Sequence, residues 1–177
     1  MSAADETSGS ITLRLADEAD LDTVRVLFLE YAAELGVDLS FQGFEAELAG
    51  LPGSYAPPRG CILLGILKNA IEGVVALRPL SPEICEMKRL YVRAAARHSG
   101  LGRALASQIV REGELRGYRK MVLDTLPRLE SAVRLYQSLG FQPSEPYYSN
   151  PYGALFFERF LNTEMSPTFL PQYGRPD

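Results

Sequence analysis

The chain has few of the residues that build disulfide scaffolds and metal centres: its 177 residues include two cysteines and one histidine. Cys61 and Cys85 each lie within an apolar run, where a small buried thiol is the usual finding, so we expect both to be reduced. The single histidine, His98, leaves too few ligands for a metal and no support for a cysteine nucleophile. The sequence therefore predicts no structural disulfide, no bound metal and no thiol-based catalysis.

Long hydrophobic runs and an excess of positive charge are also absent. No apolar run reaches the roughly 18 to 20 residues that cross a bilayer, and residues 1–10 contain no apolar segment of the kind found in secretory signals. Lys and Arg number 18 against 22 Asp and Glu, a net charge of −4, which disfavours binding to nucleic-acid phosphates. We therefore predict a cytoplasmic protein that binds neither membranes nor nucleic acids.

The remaining sequence is typical of one α/β domain. Residues 1–10 are small and polar without periodicity, so we expect them to be disordered. Residues 11–161 then form the domain, with 162–177 as a C-terminal tail.

Apolar periodicity predicts the order of strands and helices in this domain. Strands are expected at 11–15, 61–67, 71–80, 84–92, 121–125 and 154–161, and helices at 17–36, 41–48, 100–117 and 130–139. A short turn joins 61–67 to 71–80, which predicts an antiparallel hairpin. A crossover helix separates 84–92 from 121–125, so those two strands should be parallel.

The most informative segment is 97–103, Arg-His-Ser-Gly-Leu-Gly-Arg, where a helix begins. Gly100 and Gly102 let the backbone approach a ligand, and the N–H groups of a first helical turn have no partner inside the helix. The helix dipole adds positive charge, so such an end suits a diphosphate, with Arg97 and Arg103 adding hydrogen bonds. The alternative is a loop that only makes a turn with exposed arginines.

A dinucleotide-binding site does not fit this segment, although Asp124 lies near the position of a ribose-binding acid. The third glycine of that fingerprint would fall on Leu105, and seven residues separate the strand end from Gly100. No Gly-Lys-Ser/Thr follows, which excludes a phosphate-binding P-loop.

Three blocks, in the same order and spacing, resemble the GNAT superfamily of acetyl-coenzyme A dependent N-acyltransferases over about 11–161. They are the strand end at 90–92, the segment 97–103 and the later helix with its ending at 132–141. Arg97, Gly100 and Gly102 match its signature of Arg or Gln, two residues, Gly, one residue, and Gly or Ala. The later helix and its ending are matched by Ala132, Leu135, Tyr136, Leu139, Gly140 and Phe141. The family often carries Asn seven residues before the tyrosine, where this chain has Leu129.

This resemblance implies the GNAT fold, a mixed and mostly antiparallel sheet flanked by helices, with acetyl-CoA as cosubstrate. In the family, the strand end that matches Leu90, Tyr91 and Val92 pairs its backbone with the pantetheine arm. The resemblance assigns ten residues to the cosubstrate: Leu90, Tyr91, Val92, Arg97, His98, Ser99, Gly100, Leu101, Gly102 and Arg103.

Acetylating an amine needs a base and an acid. An amine with a pKa near 10 is almost fully protonated at pH 7, and removing its proton costs about 4 kcal/mol. Glu86 matches a position where some family members carry a catalytic glutamate; the alternative is a solvent-facing strand residue paired with Lys88 or Arg78. Tyr136 matches the family's general-acid tyrosine; the alternative is a core tyrosine. The Val92 N–H is a candidate oxyanion donor.

The expected activity is therefore acetyl transfer from acetyl-CoA to a primary amine by direct attack in a ternary complex. The alternative is a non-catalytic acyl-CoA sensor or interaction module on the same fold. Tyr31, Tyr147 and Asn150 are candidates for the wall that binds the amine, whose identity the sequence does not give. The last strand and the apolar tail around Phe169 and Leu170 could pair two subunits.

Overall fold

Alternating and continuous apolar runs produce a seven-stranded sheet in a computed structural model that describes residues 9–162. The strands are β1 (Ile11–Leu15), β2 (Cys61–Leu67), β3 (Ala70–Pro79), β4 (Ile84–Val92), β5 (Lys120–Thr125), β6 (Gln142–Pro143) and β7 (Leu155–Phe160). The helices are α1 (Leu21–Leu35), α2 (Phe44–Ala49), α3 (Leu101–Leu115) and α4 (Glu130–Ser138). The predicted dimer contact around Phe169 and Leu170 lies outside the described residues, as do the first eight residues.

The strand order is β1-β2-β3-β4-β5-β7-β6, and every neighbouring pair is antiparallel except β4 with β5. This confirms the expected mixed, mostly antiparallel sheet and the parallel crossover through α3. The hairpin between β2 and β3 is also confirmed. Lys68 and Asn69 take positive φ angles of 51° and 64° in its turn, as a tight two-residue hairpin requires.

The central strands are apolar on both faces because helices cover both sides of the sheet. Leu63 of β2 packs into the cluster that contains Leu105 and Ile109 of α3. The next residue, Leu64, packs into a second cluster with Phe28 of α1. Two hydrophobic cores, one on each face, therefore hold the sheet.

The predicted helix from Asp17 to Gly36 begins later than expected. The Asp17 side chain accepts the Ala19 N–H at 2.9 Å and caps a short 3₁₀ turn, Glu18–Asp20, before α1 starts at Leu21. Gly36, with φ of +66°, ends α1 as predicted.

Strands β4 and β5 separate soon after they meet. Only three residues of β4, Ile84, Cys85 and Glu86, pair with β5, although β4 continues to Val92. Beyond that point β4 carries a bulge: Arg89 and Leu90 together oppose a single β3 residue, and Arg89 has φ of +60°. The carboxyl half of β4 therefore has an edge without a strand partner in the middle of the sheet.

Gly73 of β3 lets the Leu105 side chain of helix α3 pack directly on the strand. A Cβ on Gly73 would lie 2.8 Å from Cδ1 of Leu105 and 3.1 Å from the carbonyl oxygen of Tyr91. This close approach fixes the start of α3 beside the open edge of β4.

Within residues 9–162, no helix is both long and apolar enough to cross a membrane. In the same part of the chain, no group of three or more histidine, cysteine, aspartate and glutamate side chains is arranged to hold a metal ion.

Replacing Gly73 with alanine should destabilise the protein, because the added methyl group meets the Tyr91 carbonyl, which cannot move without disturbing β4. We expect urea-induced unfolding to show a loss of about 1–3 kcal/mol, typical of overpacking. Glycine within a strand is normally less favourable than alanine by roughly 0.5–1 kcal/mol. An unchanged or increased free energy of unfolding would therefore contradict the close packing.

Candidate active site

Two adjoining cavities occupy the gap where β4 and β5 separate. The larger, about 750 Å³, lies between the end of β4, the start of α3 and the start of α4. The smaller, about 100 Å³, lies between the bulged part of β4, the end of β5 and the segment after α1. Residues that line both are Tyr31, Leu35, Leu90, Leu129 and Ala132. Molecules held in the two cavities would therefore meet beside Leu90.

The start of α3 offers the larger cavity unpaired N–H groups. Gly100 takes φ of +90°, and its carbonyl accepts the Ala104 N–H at 3.0 Å. Ser99 Oγ accepts the Leu101 N–H at 3.3 Å. Between these two, the N–H groups of Gly102 and Arg103 have no acceptor in the described part of the chain. The helix dipole acts in the same direction, so this end suits an anion.

No atom in residues 9–162 packs tightly against Gly102. A Cβ at this position would meet only Val92 Cγ2, at an ordinary contact distance of 3.7 Å. The glycine therefore leaves free space beside the unpaired N–H groups, and a ligand that approaches the backbone would use that space.

The structure divides the ten residues predicted to bind the cosubstrate. Those that line the larger cavity are Leu90, Tyr91, Val92, Arg97, His98 and Gly102. Those that do not are Ser99, Gly100, Leu101 and Arg103. Leu101 is a core residue, and Arg103 donates to Ser138 Oγ at 3.0 Å. Ser99 and Gly100 shape the turn before α3 instead.

Arg97 lines the cavity, but its guanidinium is not free as the sequence suggested. It donates to both carboxylate oxygens of Glu34 on α1, at 2.6 and 2.5 Å, and its Nε donates to the Val92 carbonyl at 3.0 Å. A phosphate at this position would have to share Arg97 with Glu34.

The Val92 N–H points toward the cavities. The next N–H along the strand, that of Arg93, donates to the Glu72 carbonyl beside β3 at 2.9 Å. Successive N–H groups of a strand point to opposite sides, so the Val92 N–H faces the open edge of β4.

Tyr136 lines the smaller cavity from α4, four residues after Ala132, which lines both cavities. Its side chain is buried and meets Phe141 edge-on at 6.1 Å, so it belongs to the core as well as to the cavity. Its hydroxyl makes no hydrogen bond within residues 9–162. Burial raises the pKa of Tyr136, which keeps the phenol protonated at neutral pH.

Glu86 lies behind the smaller cavity and does not line it. It is fully buried, whereas the alternative to a catalytic role placed it facing solvent. It does pair as that alternative expected: with Arg78 at 2.8 Å and, at 3.7 Å, with Lys88. It also accepts the Tyr147 hydroxyl at 2.9 Å. Its oxygens are therefore engaged by groups that separate it from an acceptor.

The candidates for the amine-binding wall are also divided. Tyr31 lines both cavities, and Asn150 lines the smaller one. Tyr147 lines neither, because its hydroxyl binds Glu86 and its ring packs edge-on against Phe156 at 5.2 Å.

Sequence reasoning missed the three charged residues that line the smaller cavity, Lys88, Arg89 and Asp124. Asp124 Oδ2 accepts hydrogen bonds from the Tyr148 hydroxyl and, at 3.2 Å, from Asn150 Nδ2. The available indication was a single acidic residue in the apolar strand Met-Val-Leu-Asp-Thr, since a charge in a buried strand needs a specific partner.

The sequence model of the acetyltransferase (GNAT) family matches residues 26–141. The chain belongs to this family. An uncharacterised N-acetyltransferase of Schizosaccharomyces pombe is 47% identical over 134 residues, which cover 75% of this chain and 82% of that protein. The GNAT protein described here is thus an acyltransferase.

Solved structures show the same fold. A GNAT-family acetyltransferase from Staphylococcus aureus superposes with a TM-score of 0.73 at 18% identity, covering 86% of this chain and all of the other. A Salmonella typhimurium structure containing its cofactor acetyl-CoA superposes with a TM-score of 0.63 at 22% identity, covering 89% and 97%. At these identities the similarity concerns the fold alone.

Where the family often carries asparagine, this GNAT protein has Leu129 directly before α4. Leu129 gives that helix no side-chain cap and lines both cavities. It therefore contributes an apolar surface at the junction instead of an amide.

Replacing Glu86 with glutamine should destabilise this protein, because Arg78 and the buried Lys88 would lose their counter-charge. Breaking a buried ion pair typically costs about 3–5 kcal/mol; we expect about 3 kcal/mol in urea unfolding, since Arg78 is partly exposed. Glu158→Gln is the matched control, as Glu158 pairs with Lys120 near the surface and should cost less than about 1 kcal/mol. Equal, small losses in both variants would contradict the buried network.

Proposed function

We propose that this GNAT protein transfers an acetyl group from acetyl-CoA to a primary amine of a small molecule or peptide, by direct attack in a ternary complex. The observation that carries the proposal is a pair of adjoining cavities: Tyr136 lines the smaller one, and Gly102, whose N–H has no acceptor in the described part of the chain, lines the larger one. The larger cavity would hold the coenzyme and the smaller one the amine.

The coenzyme's diphosphate would bind the N–H groups of Gly102 and Arg103, where the helix dipole favours negative charge. Its pantetheine arm would lie along the open edge of β4, as the resemblance to the family implied. This route leads from the start of α3 past Val92 to Leu90, so the thioester would reach the junction.

In the reaction, the amine nitrogen attacks the thioester carbon, the C–N bond forms and the C–S bond breaks. The Val92 N–H would stabilise the oxyanion that forms on the way, an effect of about 3 kcal/mol for one donor. Tyr136 would give its proton to the departing thiolate, and the second proton that the nitrogen loses as the amide forms would restore the phenol. The role of Tyr136 is the one that the resemblance to the family implied, and both roles are supported by Val92 lining the larger cavity and Tyr136 lining the adjoining smaller one.

The attacking amine must first lose a proton. Among the described residues that line the smaller cavity, Asp124 is the only carboxylate. We therefore assign the role of general base to Asp124, in place of the enclosed Glu86. Asp124 would take the proton from the amine and pass it to solvent. Glu86 instead holds Lys88 and Tyr147 in position.

An assay of free-thiol release across a library of amines, combined with calorimetry of acetyl-CoA binding, tests the proposal. We expect binding and amine-dependent thiol release. Binding without release for any amine would favour the alternative, an acyl-CoA sensor or interaction module. Absence of binding would contradict both functions.

Gly102→Ala should weaken acetyl-CoA binding while leaving the fold intact. The methyl group fits the protein, and alanine is favoured over glycine in helices by up to about 1 kcal/mol, so stability should be unchanged or raised. Because the methyl group fills space beside the unpaired N–H groups, we expect the Kd to rise about tenfold, or 1.4 kcal/mol. If calorimetry shows an unchanged Kd, the diphosphate does not bind at the start of this helix.

Tyr136→Phe should lower kcat by about 100-fold or more, with little change in the Kd of acetyl-CoA, because it removes the proton donor and keeps the ring. The control is Tyr118→Phe, which removes a buried hydroxyl that donates to the Arg59 carbonyl, away from both cavities. Turnover should be normal in this control.

The pH profile provides a second test of Tyr136. Burial raises the pKa of Tyr136 above the usual value of about 10, so the acid form persists. At pH values under 10, wild-type kcat should therefore show no decline caused by Tyr136. A decline between pH 8 and 9 that disappears in Tyr136→Phe would contradict this assignment.

A further inference from the structure

Lys88 is a buried cation that the protein only partly satisfies. Its side chain is 5% exposed, and Lys88 lines the smaller cavity. One of its three N–H donors binds Gln42 Oε1 at 3.2 Å. The nearest oxygen of Glu86 is 3.7 Å away, beyond hydrogen-bond distance, and that carboxylate already pairs with Arg78. Burial lowers the pKa of Lys88, so an additional anion would stabilise its charge.

Asp124 is the complementary case. Both of its hydrogen bonds, from Tyr148 and Asn150, go to Oδ2, so Oδ1 has no donor in the described part of the chain. No ion pair within residues 9–162 includes Asp124. One carboxylate oxygen is thus available to an ammonium group.

The pairing of β4 with β5 places these two groups opposite each other. Glu86 pairs with Val122, and partners in a parallel ladder point to the same face of the sheet. Lys88 and Asp124 lie two residues further along their strands, so both side chains point to that same face, across the gap. No ion pair joins them in the described structure, because the strands have separated there.

The charges of the smaller cavity restrict its ligand. Arg89 also lines it, but both oxygens of Glu47 already bind its guanidinium, at 2.9 and 3.2 Å. One available cation and one available carboxylate oxygen remain. A polyamine would place a second positive charge against Lys88, and a peptide N-terminus has no carboxylate next to its amine.

We infer that the acceptor is a free α-amino acid, whose carboxylate binds Lys88 and whose amino group binds Asp124 Oδ1; this inference rests on the proposed function. Such a molecule carries both charges on one carbon, which suits a cavity of about 100 Å³. Tyr136 and Asp124 both line this cavity, so the amino group would be bound in the same cavity as the proposed proton donor.

The experiment compares three series of acceptors in the thiol-release assay with acetyl-CoA: L-α-amino acids, their carboxamides, and the amines left after decarboxylation. All three carry the amine, and only the first carries the anion. We expect kcat/KM for the preferred amino acid to exceed that of its amide and its amine by about 30-fold or more, as for loss of one partner of a buried charge pair.

Lys88→Met tests the assigned residue. The ratio of kcat/KM between the amino acid and its amide should fall to about threefold or less, whereas Lys88→Arg, which keeps a cation, should retain most of it. Lys120→Met is the matched control and should leave the ratio unchanged, because Lys120 of β5 pairs with Glu158 of β7 and lines neither cavity. Circular dichroism would verify that each variant is folded.

The outcomes separate the two proposals. Transfer to amides or decarboxylated amines at the same rate as to amino acids, or an unchanged ratio in Lys88→Met, would overturn the amino acid inference and leave acetyl transfer standing. Acetyl-CoA binding without transfer to any of the three series would contradict acetyl transfer to amines itself.

Discussion

The bulge of β4, beside the gap between β4 and β5, is held by one buried ion pair. Arg89 takes a positive φ angle that residues other than glycine rarely adopt, and the backbone strain is about 1–3 kcal/mol. Its guanidinium, 2% exposed, binds both carboxylate oxygens of Glu47 on α2, and the Tyr55 hydroxyl donates to the same carboxylate at 2.8 Å. Removing any one partner would leave a buried charge or hydroxyl unsatisfied, so the bulge is held from outside the sheet.

The same bulge changes which side chains face the cavities. Before it, Lys88 points to the α1 side of the sheet; after it, Leu90 packs toward α3. Without the extra residue, strict alternation would place Leu90 on the same face as Lys88. The bulge therefore puts a polar acceptor cavity and an apolar route for the coenzyme arm next to each other on one strand.

Local patterns predicted most of the fold. The bounds of β2 and β4 match the expected ranges residue for residue. The prediction that β5 is parallel to β4 is also confirmed. Both predictions depend on periodicity and crossover length, which neighbouring residues determine. Long-range partners could not be predicted in this way. Arg97 and Glu34 are 63 residues apart, and only the packing of α1 beside the start of α3 brings them together. Likewise, alternation shows that Glu86 faces away from Cys85, but it does not show that helices cover both faces.

The charges of β4 raise a question that folding alone does not answer. A strand carrying Glu86, Lys88 and Arg89 in the middle of a sheet must neutralise each of them, since an uncompensated buried charge is strongly destabilising. Arg78 and Glu47 do so for Glu86 and Arg89. Lys88 keeps spare N–H donors, and Asp124 keeps a spare oxygen, opposite each other across a gap. An apolar pair at these two positions would avoid the cost of burying charge, and the proposed ligand, which carries both opposite charges, would supply the missing partners.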